Sequence, residues 1–124
     1  MRTARSLLGA TGERHARAIL EAAGLSYIES NWRAASGEID LIMRDGDFVV
    51  FVEVKVRRGE FAGAAEEAIS PAKAGRLLAT GEWYMAEHDG LGELPWRIDL
   101  VAITLDSHGR VVRSRHIADA VVSG

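Results

Sequence analysis

Apolar residues crowd the middle of the chain, in Ile39-Asp40-Leu41-Ile42-Met43 and Phe48-Val49-Val50-Phe51-Val52, with Arg44-Asp45-Gly46-Asp47 between them. Runs of this length, rich in β-branched and aromatic side chains and broken by Asp-Gly, predict two strands joined as a hairpin by a type I′ turn. With Asp45 and Gly46 as the loop, Arg44 pairs with Asp47, Asp40 with Phe51 and Glu38 with Glu53. Side chains alternate faces along a strand, so Glu38, Asp40, Glu53 and Lys55 project from one face of the pair. The opposite face carries Ile39, Leu41, Met43, Val50, Val52 and Val54. A three-residue loop would instead put Asp40 and Glu53 on opposite faces.

Helical spacing governs the segment before the hairpin. From about Leu7 to Ala23, Leu8, Ala16, Ile19, Leu20 and Ala23 recur on one stripe, and Gly24 supplies a stop. Glu13 falls on that stripe, three residues before Ala16 and seven before Leu20. A carboxylate there needs a partner, or it snorkels to solvent or pairs with Arg17. Ser26 to Arg33 alternates as a first strand, and Ala34-Ala35-Ser36-Gly37 turns into the hairpin. Phe61 to Ala65 reads as a loop or a short helix. Ser70-Pro71 marks a helix start, with Ser as N-cap and Pro in the first position. Ala74, Leu77, Leu78, Gly81 and Tyr84 or Met85 form its core stripe. A strand from Arg97 to Leu105 turns at Asp106-Ser107-His108-Gly109 into Arg110 to Ile117. The order αβββαββ predicts an α/β fold, a mixed sheet flanked by helices.

Composition narrows the class. The 124 residues, 48% hydrophobic and 27% charged, suit one core, so 1–124 reads as a single domain. No apolar run approaches the roughly 20 residues that cross a bilayer. The N-terminus lacks the apolar stretch of a secretory signal. Without cysteine there are no disulfides, and the expected location is cytoplasmic, with no membrane partner. A net charge of −3 argues against a strongly basic binder of phosphate backbones. Placement qualifies that total: Lys55, Arg57, Arg58, Lys73 and Arg76 fall near the motif carboxylates, whereas Glu82, Glu87, Asp89 and Glu93 lie farther along.

Carboxylates gathered on one strand pair repel one another and resist desolvation, which a divalent cation relieves. Oxygen ligands suit Mg²⁺ or Mn²⁺ better than zinc, and no cysteine or closely spaced histidine pair offers a softer site. His15, His88, His108 and His116 are scattered, so no nucleophile with an adjacent base is legible. Lys73 in a first helical turn is either solvated or, together with the helix N-terminus, an anion-binding position. Arg97 and Asp99, two apart on one strand, read as an ion pair of the scaffold.

Gly37-Glu38-Ile39-Asp40-Leu41-Ile42, Phe51-Val52-Glu53-Val54-Lys55, Gly12-Glu13 with Ala16 and Leu20, and Arg97-Ile98-Asp99 together resemble the YraN-like family of small bacterial proteins. That family in turn resembles the restriction-endonuclease-like PD-(D/E)xK nuclease superfamily. The likeness runs from about Gly9 to His116-Ile117 and Ala120. Ile39 stands where the superfamily motif has proline, and Val56 stands where the family often has a small hydroxyl residue. The resemblance implies a restriction-endonuclease-like fold and metal-dependent hydrolysis of phosphodiester bonds in nucleic acid, in the first instance DNA. Asp40, Glu53 and the backbone carbonyl of Val54 would hold Mg²⁺ or Mn²⁺, and Lys55 would orient water and neutralise the phosphate. Glu13, from the first helix, and Glu38 would bind a second ion or position water. Arg57, Arg58, Lys73 and Arg76 would contact nucleic acid. Two alternatives remain: a non-catalytic module binding branched or single-stranded nucleic acid or a protein, and a structural protein whose carboxylates meet Arg33, Arg57 or Arg97. Small size makes a homodimer attractive, since two sites could address two strands.

Overall fold

Strands covered on both faces read as unbroken apolar runs, and that is what the hairpin sequence encodes. The computed structural model describes residues 4–59 and 69–121, with side chains from Ala10 onward. Among them the order is α1 (Ala4–Ala22), β1 (Ser26–Ala34), β2 (Gly37–Asp45), β3 (Phe48–Arg58), α2 (Pro71–Glu87), β4 (Trp96–Leu105) and β5 (Val111–Ile117), with a 3-10 turn at Asp89–Leu91. This is the αβββαββ order expected from the sequence. Phe61 to Ala65 lies outside the described residues, as does the side chain of Leu8.

The sheet order is β1-β2-β3-β4-β5. β3 and β4 run parallel, and the other neighbours are antiparallel. A parallel pair needs a crossover, which here contains α2. One layer packs Ala16 and Leu20 of α1 against Leu41, Met43, Val50, Val52, Val101 and Ile103. The other packs Leu77, Tyr84 and Met85 of α2 against Ile39, Ile42, Val49, Phe51 and Ile98. No described helix is long and apolar enough to cross a membrane.

The hairpin register corrects the sequence reading. Asp45 pairs with Phe48 and Arg44 with Val49, so the loop is Gly46-Asp47 rather than Asp45-Gly46. Gly46 has φ 59 and Asp47 is not among the positive-φ residues, the pattern of a type II′ turn, which takes glycine first. Each β2 residue meets the β3 residue two beyond the expected one. A shift of two preserves parity, so the β3 faces stand as expected. The β2 faces do not stand throughout: Ile39 packs in the α2 layer and Leu41 in the α1 layer.

Two glycines set the helix distances. A Cβ on Gly12 would lie 2.5 Å from Val56 Cγ2, and one on Gly81 would lie 2.8 Å from the Trp96 ring and 3.0 Å from that of Phe51. The start of α2 is as predicted, with the Ser70 hydroxyl accepting from the Lys73 amide at 3.2 Å and Pro71 in the first turn. On β4, in register with Val52, Asp99 is fully buried. It is held by Arg97 Nε at 2.9 Å, His116 Nε2 at 2.7 Å and the Asp119 amide at 3.0 Å. Arg97 also meets Asp45 at 3.0 Å. A buried carboxylate is tolerated when bonded in this way, and the pair is a scaffold feature joining β4, β5 and the hairpin end.

Candidate functional site

The candidate site begins where β2 parts from β3. Their last pair is Leu41 with Val52. Beyond it the Val54 amide donates to Asp40 Oδ2 at 2.8 Å, so a carboxylate takes the place of a backbone partner. Asp40 lies between Ile39 and Leu41, which pack in opposite layers, so the alternation of β2 breaks at this residue. Opposite it on β1, Asn31 has φ 56, a left-handed conformation that asparagine tolerates better than most residues. The amide and carbonyl of one strand residue face the same neighbour, which directs the Val54 carbonyl into the same gap.

Glu53 follows on β3, its side chain only 12% exposed. Lys73 Nζ approaches its Oε2 at 3.3 Å, yet that oxygen is buried without a hydrogen bond. The ammonium is near enough to supply charge but not aligned to donate. Burial first, then the charge of Glu53, push Asp40 from its ordinary 3.8 up to about 8, against the lowering effect of the Val54 amide. Hydrogen bonding to Glu53 and the charge of Glu13 add to the rise. A carboxyl raised by the neighbouring carboxylate, an unsatisfied Oε2 and an adjacent carbonyl edge form a hard oxygen donor set. These residues fit Mg²⁺ or Mn²⁺. Among the described residues no cluster of three His, Asp or Glu side chains forms a ready metal cage, and an ion that keeps several of its waters does not need one.

Glu13 reaches this site from α1, where the close passage at Gly12 brings the helix against Val54 and Val56. Asn31 Nδ2 donates to Glu13 Oε2 at 3.1 Å. Lys55 shares its strand face with Glu53 and makes no ion pair among the described residues. Glu38 sits apart from the pair, opposite Arg33 in the β1–β2 register and 3.4 Å from its Nε. Arg57 is exposed on the face of Lys55, whereas Arg58 alternates to the other face, near Gly109. Lys73, read from the sequence as an anion site, faces Glu53 instead. Arg76 is exposed on α2. Sequence reasoning missed Asn31 as the holder of Glu13; its one signal, tolerance of positive φ, is silent without coordinates.

Comparison with known proteins agrees with the motifs. The model of a family described as "Uncharacterised protein family UPF0102" matches residues 12–103, which span the carboxylates, Lys55, α2 and most of β4. A UPF0102 protein of Roseiflexus castenholzii is 44% identical over 118 residues, 94% of each chain. One from Chloroflexus aurantiacus is 43% identical over 121 residues, 98% of each, and one from Kineococcus radiotolerans is 46% identical over 107 residues, 86% of this chain and 87% of the relative. Near full-length identity of this order, on top of the motif match, means that the chain belongs to the UPF0102, or YraN-like, family.

Proposed function

We propose that the protein is a metal-dependent nuclease that hydrolyses phosphodiester bonds in DNA. The observation that carries this is the Asp40–Glu53 pair at the strand split, one carboxyl pushed up by burial and by its neighbour, the other with an unbonded buried oxygen. Asp40, Glu53 and the Val54 carbonyl would hold Mg²⁺ or Mn²⁺. Once bound, such an ion supplies an acidified water and stabilises charge on the phosphate. The Val54 amide fixes the Asp40 carboxylate in the gap. Lys55 stands one alternation beyond Glu53, where an ammonium neutralises a scissile phosphate and orients water. Glu13, steadied by Asn31, is the third carboxylate and accepts a proton or positions water.

The test is cleavage of labelled duplex, single-stranded, flap and four-way-junction DNA with Mg²⁺ or Mn²⁺, beside Asp40→Ala and Lys55→Ala. Loss of about a hundredfold or more in each folded variant is expected, the usual scale for removing a charge-stabilising group. Cleavage that persists in both variants refutes the assignment. A second reading, a non-catalytic nucleic-acid module, is favoured by one contact: Lys73 already brings positive charge to Glu53. Under it, wild type binds the panel without cutting, and Mn²⁺ heat of binding is absent.

A further inference from the structure

Resting on the nuclease reading, we propose that the sheet face leading away from Glu53 is a track for the phosphate backbone of a duplex, with Arg113 and Arg115 as its far side. The strand register places these residues. Lys55 lies opposite Ala102, and Ala102 opposite Arg115; Arg57 lies opposite Thr104, and Thr104 opposite Arg113. Directly opposed residues on neighbouring strands share a face, as do residues two apart on one strand. Glu53, Lys55, Arg57, Arg113 and Arg115 therefore project from one face, the α2 side of the sheet. Two cationic rows result, about 10 Å apart across β4 and continuing from the carboxylate pair. Between them β4 contributes Ala102 and Thr104, both buried, so the exposed guanidinium groups of the rows rather than the floor between them would meet a phosphate.

Charge placement makes this a phosphate surface even though the whole chain is acidic. Arg57, Arg113 and Arg115 are exposed, and a guanidinium grips a phosphate through two parallel N–H donors. Arg113 and Arg115 each also interact within the protein, a contact that a phosphate shares or displaces. The same face points to a duplex rather than a single strand. Single strands are held by bases stacked on aromatic side chains. The large apolar side chains exposed among the described residues are Phe48, Trp83 and Val112. Phe48 opens β3 at the end opposite Arg57, Trp83 belongs to α2, and Val112 has no ring. Among the described residues no aromatic side chain interleaves the two rows.

Fluorescence anisotropy with a short labelled duplex and the matching single strand, in EDTA to prevent cleavage, tests this across a series of salt concentrations. Wild type is compared with Arg113→Ala/Arg115→Ala and with Arg113→Lys/Arg115→Lys. For the alanine pair the slope of log affinity against log salt on duplex should shrink by about 2, near 0.9 per lost phosphate contact, while the lysine pair keeps it. If the alanine pair fails to fold, Arg113→Gln and Arg115→Gln are read singly, each expected to lower the slope by about 0.9. An unchanged slope in folded variants overturns the track and leaves the nuclease reading standing. Single-strand binding as tight as duplex binding, with the same arginine dependence, overturns the duplex assignment. No wild-type binding to either probe overturns the track, while the nuclease reading stands or falls with metal-dependent cleavage.

Discussion

Asp40→Asn should stabilise the metal-free protein, and increasingly so as pH rises. The carboxyl of Asp40 is raised from 3.8 to about 8 in the folded state. Between those values the folded chain holds a proton that the unfolded chain has released. The folded state then binds more protons, so rising pH favours unfolding. The contribution is undiminished below the unfolded value near 4 and erodes until pH passes the folded value near 8. About three units of the displacement fall between pH 5 and pH 8, a ceiling of roughly 4 kcal/mol at 1.36 kcal/mol per unit. Water can reach a carboxylate that is not fully enclosed, so about half, ~2 kcal/mol, is expected. Asparagine carries no such charge. Its oxygen still accepts from the Val54 amide, and its amide can donate to Glu53. For a domain of this size ~2 kcal/mol corresponds to about 8 °C in melting temperature. Thermal unfolding followed by circular dichroism in EDTA, at about pH 5, 7 and 8.5, measures the gap between variant and wild type. A gap that stays constant over this range, or narrows as pH rises, refutes the reasoning.

Three further outcomes follow from particular contacts. Gly12→Ala puts a methyl within 2.5 Å of Val56 Cγ2 and should cost about 1–3 kcal/mol in urea unfolding; adding Val56→Ala should recover much of it, and additive losses would contradict the proposed clash. Asn31→Gly keeps the left-handed backbone but releases Glu13, so metal-dependent cleavage should fall with little change in melting. Asn31→Val should melt lower by the ~1–2 kcal/mol cost of that backbone conformation, and equal melting of the two variants would contradict the strain. Asp99→Ala strips Arg97, His116 and the Asp119 amide of their shared acceptor, and denaturant titration should show a loss of about 3–5 kcal/mol, with a loss under about 1 kcal/mol contradicting it.

Local chemistry made most of the fold legible. Ser70-Pro71 fixed the start of α2, and Asp106-Ser107-His108-Gly109 fixed the β4–β5 turn, because both act within a few residues. The hairpin turn was misplaced by one residue, since Asp45-Gly46 and Gly46-Asp47 both offer a glycine next to an aspartate. The faces of β3 survived because the error moved partners by two. At β2 alternation failed, because the breach at Asp40 depends on β3 offering it an amide, which no periodicity in β2 records. Lys73 looked like a free cation of a helix start until tertiary packing set it against Glu53. Arg113 and Arg115 carry no motif at all, and only the β4–β5 register brings them to the face of Lys55.

The Val54 amide occupies an unusual position for a spectroscopist. It is a backbone group in the middle strand of five, yet its acceptor is a side chain that can lose a proton. Its nitrogen and proton resonances should therefore move with the charge on Asp40, while its neighbours in the regular ladder stay still. A single peak in a correlation spectrum would then follow protonation without any introduced label. Occupancy of the gap by a cation would displace the same peak along a different path, separating the two events in one titration.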